Sequence, residues 1–345
     1  MAENELTQII ELTESLTPAD DDYLPIQALA GGTGSTKRTS IAAIRDGVSF
    51  ATYQRTLFVA KHGADSNAGT NPTEPLLTLD AATTAAAALS PTTSDRVAIV
   101  ALGAGIYTET VTLPSFVGLD ARMSLIDGTL TIGEHNLVHL WRLRATADGQ
   151  TLINKTSGTG NSAVHISEVD GRGDTGTRDG VLCIDNQSGI LKVNSDIITV
   201  GLNGEGLGDG SPDFGHTHVH TRDLYAGGNG ATLIRGSGGD AFVVVFADHI
   251  LEIGTLTGTT GIRISGPGDV TVITGQLKMT GGDAYNISGP GLLRLQAMEV
   301  EGNRVGDATI EFADDRITAG NLPTSSAGLP TGAFWNDSGT LKVVT

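Results

Sequence analysis

The chain has one cysteine in 345 residues, Cys183, so no intrachain disulfide framework can hold it together. Set between Leu182 and Ile184, that thiol reads as a buried apolar side chain. Aromatic residues make up only 4 % of the chain, as a narrow core filled by aliphatic and small side chains would require. No run reaches the ~18 apolar residues of a membrane span, so no membrane insertion is expected. The first residues are acidic and lack the basic and apolar regions of a signal peptide, which points to a soluble product made in a cytoplasm. Basic residues are scarce: 21 Lys and Arg stand against 39 Asp and Glu, a net charge of −18. Phosphate-backbone binding needs clustered Lys and Arg, so nucleic acid is excluded as a partner. The acidic excess reads as a solvated surface that keeps a large assembly soluble.

What the chain has instead is a repeat. The segment 138–143 (VHLWRL) recurs in outline from Val164, Val193, Val219, Val245, Val272 and Leu293, at steps of 26, 29, 26, 26, 27 and 21 residues. Each copy opens on Val or Leu and carries a second apolar residue five positions later, the last of these being Met298. A Ser-Gly turn separates copies, beginning at Ser157, Ser188, Ser237, Ser265 and Ser288. The 47 glycines are about twice the ~7 % average share, as a turn-rich chain needs. The copies are rich in Val, Ile, Leu and Thr, alternate over short runs, and hold no amphipathic helical pattern. A period near 26 residues fits one coil of a parallel β-helix, with roughly three short strands per coil. Coils stacked at ~4.8 Å would build a prism roughly 40 Å long in which no coil is stable alone.

Three parts follow. Residues 1–50 read as a short helix (5–16), an extended stretch from Tyr23, a turn over 31–35 and a strand or short helix over 39–44. They are too few for a core of their own and are expected to fold on a partner. Residues 51–312 form the β-helix, with a first strand at Leu57-Phe58-Val59 and an Ala-rich capping helix over 79–89. Residues 313–345 form a linker and two short strands, 333–335 and 340–344.

Three stretches carry a family resemblance. Residues 58–89, followed by 97–100 and Gly105-Ile106-Tyr107-Thr108-Glu109, look like the opening of pectin-lyase-like right-handed β-helix proteins: first strand, capping helix, first full coil and a GxYxE turn. Residues 16–44 resemble the N-terminal attachment segment of bacteriophage tail-fibre, tailspike and head-fibre proteins. Residues 322–344 resemble a C-terminal tag of phage virion proteins. The resemblance implies an all-β, right-handed, single-stranded parallel β-helix in a homotrimer. It also implies partners among the virion proteins of tail or capsid, contact with host-surface polysaccharide, and location in the virion. Within this frame Leu24, Pro25 and Ile26 are the expected virion-attachment contacts. Phe334 and Trp335 are the expected trimer tip, since large aromatics dominate interface energetics.

Two constellations are candidates for chemistry. His216, His218 and His220 alternate on one strand; with Val219 inward, all three imidazoles face outward, an arrangement that suits zinc, nickel or iron. The competing reading is a polar stripe or a subunit contact. Asp170, Asp174 and Asp179 could supply paired carboxylates for glycoside hydrolysis. Asp beside Gly is also ordinary turn chemistry, and an insertion over 171–180 explains the 29-residue step. The turn reading is preferred, catalysis is not expected, and no cofactor is implied. The triplet Arg172-Gly173-Asp174 matches an adhesion motif too short to carry weight. Gly266-Pro267-Gly268 and Gly289-Pro290-Gly291 lack the Lys-Ser/Thr and helix of a phosphate loop and read as turns.

Overall fold

The computed structural model describes residues 53–156, 158–173, 176–208, 215–236 and 242–306, together with Ser325, Ala327 and the strands Tyr23–Gln27, Thr36–Ser40, Thr309–Glu311, Phe334–Asp337 and Thr340–Val343. The described residues are mostly strand with one helix, and the long sheet is all parallel, coiled into a β-solenoid. The helix expected at residues 5–16 lies outside the described residues.

Each coil runs through three faces. On the first face the opening valines of the repeat lie directly over one another: Val138 pairs with Val164, then Val193, Val219, Val245 and Val272. Leu57, Ile99 and Leu119 extend this column upstream, and every member is buried. The second apolar position of the repeat builds the inner wall of the second face, Leu143 over Val169, Ile198, Leu224, Ile250 and Leu277. The third face supplies Leu130, Ile153, Ile184, Leu207, Ile234 and Ile262. The three columns meet in one core, so each aliphatic side chain touches its equivalents above and below as well as the facing walls.

The seventh copy is not where the sequence places it. The ladder pairs Val272 with Leu295 and Leu277 with Val300, a step of 23 residues on the first face, and Met298 stands at the corner, 64 % exposed. A shift of two residues preserves the alternation, so Leu293 is buried as well and local pattern alone does not choose between the two anchorings.

The corners differ in kind. Between the first and second faces a single residue per coil drops out of the pairing: Trp141, Ser167, Asp196, Arg222, Asp248 and Gly275 occupy this position in turn. Where the residue before the corner is Thr, its hydroxyl closes the bend. Thr221 Oγ1 donates to the carbonyls of Asp196 and Asp223, and Thr274 Oγ1 to those of Asp248 and Gln276. Between the second and third faces a turn beginning with Asp, Asn or Thr recurs at Asp148, Asp179, Asn203, Asn229 and Thr257, each followed by Gly. Its backbone is stitched from coil to coil: Gly149 N–H donates to Asp179 O, Gly180 to Leu202 O, Asn203 to Asn229 O and Gly230 to Thr257 O, at 2.8–2.9 Å. Side chains add a second rail, with Asn203 Nδ2 on Asp179 Oδ1 and Thr257 N–H on Asn229 Oδ1, both at 3.0 Å. Gly230 needs its lack of a Cβ, because its φ is +69°. The Ser-Gly turns at Ser188, Ser265 and Ser288 form the third corner. At Gly289 an added Cβ would stand 2.5 Å from the Ser265 backbone one coil below, so the turns stack too closely for a side chain.

Two polar residues enter the core at this third corner. Lys155 and Asn186 are register partners where the previous coil has Ile132. Lys155 Nζ donates to Gly158 O at 3.1 Å, and Asn186 Nδ2 to Gly189 O, His216 O and Thr217 Oγ1. Burial without such partners would be costly, so both residues act as internal turn braces. Cys183 is fully buried, as expected, and burial pushes its thiol up to about 12.

The helix Leu79–Ala88 packs Leu79, Ala82, Thr83 and Ala86 against the first strands, in the place the sequence assigns to a capping helix. Glu109, the last residue of the GxYxE string, explains that motif physically. Its carboxylate accepts from the N–H groups of Leu79 at 3.2 Å and Asp80 at 2.7 Å, satisfying orphan donors of the first turn. Outside the solenoid, Tyr23–Gln27 pairs antiparallel with Thr36–Ser40, and Phe334–Asp337 with Thr340–Val343. The second pair carries its first strand on to Asp337, two residues beyond the 333–335 expected from the sequence.

Leu143→Ala should destabilise the solenoid by about 2–5 kcal/mol, the cost of a core cavity, whereas Met298→Ala at the exposed corner should stay within about 0.5 kcal/mol. Urea unfolding midpoints at constant slope would measure both. Removing the helix cap by Glu109→Ala should cost about 1 kcal/mol. An unchanged midpoint for this variant would refute the capping role.

Candidate functional site

The single-residue corner between the first and second faces is concave. A groove of about 940 Å³ runs along it, lined among others by Asn194, Asp196, His220, Arg222, Phe246, Asp248, His249 and Ile273. It adjoins a second recess of about 360 Å³ lined by Arg122, His139, His165, Asn194, Ser195 and Asp196. Asn194, Ser195 and Asp196 belong to both, so the two form one trough along several coils.

The trough follows from the stacking. The residue after each opening valine points outward, and the ladder lays Asp120, His139, His165, Asn194, His220, Phe246 and Ile273 in one column. The rings stack on one another: His139 on His165 with centroids 4.8 Å apart, and His220 on Phe246 at 4.5 Å. Because the faces are used in this way, ring edges rather than flat platforms meet the solvent. Burial pushes both His139 and His165 below the ordinary imidazole pKa; Arg122 adds to this at each, and at His139 the neighbouring His165 adds further while Asp120 opposes.

Across the corner, Asp223 is buried and accepts from His249 Nδ1 at 2.8 Å and Arg222 Nε at 3.0 Å. Burial alone would raise its pKa, but these two hydrogen bonds and their charges bring it below the usual carboxylate value. A carboxylate fixed to Nδ1 orients the His249 ring, leaving Nε2 as the nitrogen available to the trough.

The sequence candidates fare differently. His216, His218 and His220 do alternate outward around buried Thr217 and Val219. They fall into three columns, beside Phe242, Val244 and Phe246, and do not converge. Among the described residues no group of three or more His, Cys, Asp or Glu is placed to hold a metal ion. Burial lowers the His218 pKa, with Lys192, His216 and His220 acting in the same direction. Asp170 is not an available acid or base: it is 2 % exposed and clamped by Arg142 Nη2 at 2.5 Å and Arg172 Nε at 3.3 Å. The same contact ties down the Arg of the Arg-Gly-Asp triplet. Asp174 lies outside the described residues. Asp179 is a rung of the turn ladder, its backbone N–H donating to Asp148 Oδ1. Leu24, Pro25 and Ile26 lie opposite Thr39, Arg38 and Lys37, and Phe334 and Trp335 opposite Val343 and Lys342.

Sequence reasoning missed Arg122, His139, His165 and His249 as members of one surface. The signal was present: reading the residue after each opening valine gives His, His, Asn, His, Phe, Ile down the column. Comparison with known protein families, with curated proteins and with solved structures finds no match for this chain.

Three imidazoles held below their ordinary pKa set a pH dependence. The unfolded chain binds protons at about 6.5 while the native state resists them, so the stability they confer is present above that pH and lost as pH falls toward the native values. The urea midpoint should therefore drop between about pH 7.5 and 5, and a His139→Gln, His165→Gln double variant should show a shallower drop. An identical pH profile in the double variant would refute the assignment.

Proposed function

We propose that this chain is a bacteriophage virion structural protein. In this reading residues 1–50 anchor it to the particle, and residues 51–312 form a right-handed, pectin-lyase-like β-helix that trimerises. Residues 313–345 complete the tip around Phe334 and Trp335. The rod projects from the particle and contributes to host-surface adsorption. The observation that carries this reading is the inner column that runs without a break from Leu57 to Val272 and on to Leu295. Such stacking gives a stiff body whose coils cannot open singly, a property suited to a load-bearing spike exposed to proteases. The resemblance of both chain ends to virion-protein segments supplies the biological setting.

A mechanical role is favoured over glycan cleavage because Asp170, a candidate acid from the sequence, is neutralised between two arginines. The alternative within the same class is a head-fibre or decoration protein that stabilises the capsid, which would use the same anchor and rod.

Immunogold electron microscopy of intact virions, with antibody against residues 51–312, should label the tail; label over the head would select the decoration role, and unlabelled particles would remove the virion reading altogether. Deleting residues 1–45 should leave a folded rod absent from the particle. Retained incorporation would overturn the anchoring assignment.

A further inference from the structure

We propose that the upper recess of the corner trough is an oxyanion-binding site, in which Arg122, His139, His165, Asn194 and Ser195 receive a phosphate, sulfate or carboxylate group. The site stands on its own geometry and does not depend on the virion reading.

Hydrogen-bond donors gather there from four successive strands. Arg122, whose guanidinium fork engages Asp120 Oδ1 through Nε at 3.2 Å, is one of the residues lining a recess of about 360 Å³. That fork matches two oxygens of a carboxylate or phosphate. His139 and His165 stand one above the other on the next two strands, and Asn194 continues the column, its Nδ2 3.4 Å from His165 Nδ1. Ser195 supplies the least expected feature. Its Oγ is buried without a hydrogen-bond partner, although Thr221 and Thr274 at equivalent corner positions both give their hydroxyls to backbone carbonyls. A buried hydroxyl left unsatisfied costs free energy, and an acceptor oxygen in the recess removes that cost once the Ser195 side chain rotates to present its Oγ.

The electrostatics agree. The two imidazoles titrate low because they are partly buried beside a guanidinium. Two carboxylates face it: Asp120, already engaged by Arg122, and Asp196 at the lip shared with the lower groove. With both imidazoles neutral, Arg122 alone opposes these two carboxylates, so anion binding draws on protonation of His139 and His165. An oxyanion would favour the protonated imidazoles, so binding and protonation reinforce one another.

The test is an NMR titration of the His139 and His165 rings in the full chain, with inorganic phosphate added at constant ionic strength and chloride as the control. Phosphate should raise both imidazole pKa values saturably, by about one unit. Its affinity should then be greater at pH ~5.5 than at pH ~7.5, by up to about tenfold for each imidazole whose pKa rises one unit. Arg122→Ala and the milder Ser195→Ala should each weaken the effect while leaving the rings' spectra otherwise native. A parallel titration with acetate separates the ligand chemistries: a response to acetate points to a carboxylate-bearing ligand, a response to phosphate alone to a phosphate or sulfate ester. No saturable shift with either anion, or an equal shift in both variants, would overturn the proposal.

Discussion

Register is the constraint on which everything else in this solenoid depends. A parallel ladder fixes each residue over its equivalent in the next coil, at one spacing, for the whole length of the stack. An inward valine therefore packs on another inward valine, and hydrophobic burial is shared between coils rather than completed within one. The same rule is unforgiving: a slip of one residue would turn an entire aliphatic column outward. From Val138 to Val272 the step between equivalent valines accordingly varies at corners, while the first-face pairing stays in register. The 29-residue step is absorbed after Asp170, where Arg178 N–H closes back on Arg172 O.

The three corners solve one problem in three ways. A one-residue bend leaves little backbone to satisfy, and Thr hydroxyls cover it. The Asx-Gly turn needs a left-handed residue, but the ladder it forms makes each turn a template for the next. The Ser-Gly turn brings backbone against backbone and so forbids a side chain. Polar groups at the perimeter are handled in the same columnar manner. Asp127, Arg144 and Asp170 succeed one another down the second face, and Arg144 grips Asp127 through two bonds of 2.7 Å. Alternating charge along a column turns enforced proximity into attraction; like charges in the same register would repel at under 5 Å.

These facts explain what could and could not be read from the sequence. The inner columns were legible because they obey period two within a strand and a near-constant step between coils. Both periods survive in the letters. The failure at Leu293 and Met298 is instructive: a two-residue shift preserves alternation, and Met298 looks apolar although it is the exposed corner residue. Only the ladder pairing separates the two. The turn ladder escaped notice because Asp, Asn and Thr alternate in one role, so no single letter repeats. The trough escaped because it joins residues about one coil apart. A local motif search favours His216, His218 and His220, neighbours in sequence that diverge in space. It passes over His139 and His165, which lie 26 positions apart and touch.

That contrast bears on how such a scaffold acquires function. Along a strand, outward residues two apart stand nearly 7 Å from each other and act separately. Across strands, a column brings side chains within stacking distance without any special loop. Replacing one letter per coil at the position after the opening valine is enough to write a linear array of matched groups on a surface that is already rigid. The core need not change, since that position never enters it. Binding chemistry on this chain should accordingly be sought in columns rather than in sequence motifs. The trough beside the one-residue corner is where two such outward columns come close enough to act on one ligand, because no loop intervenes to hold them apart.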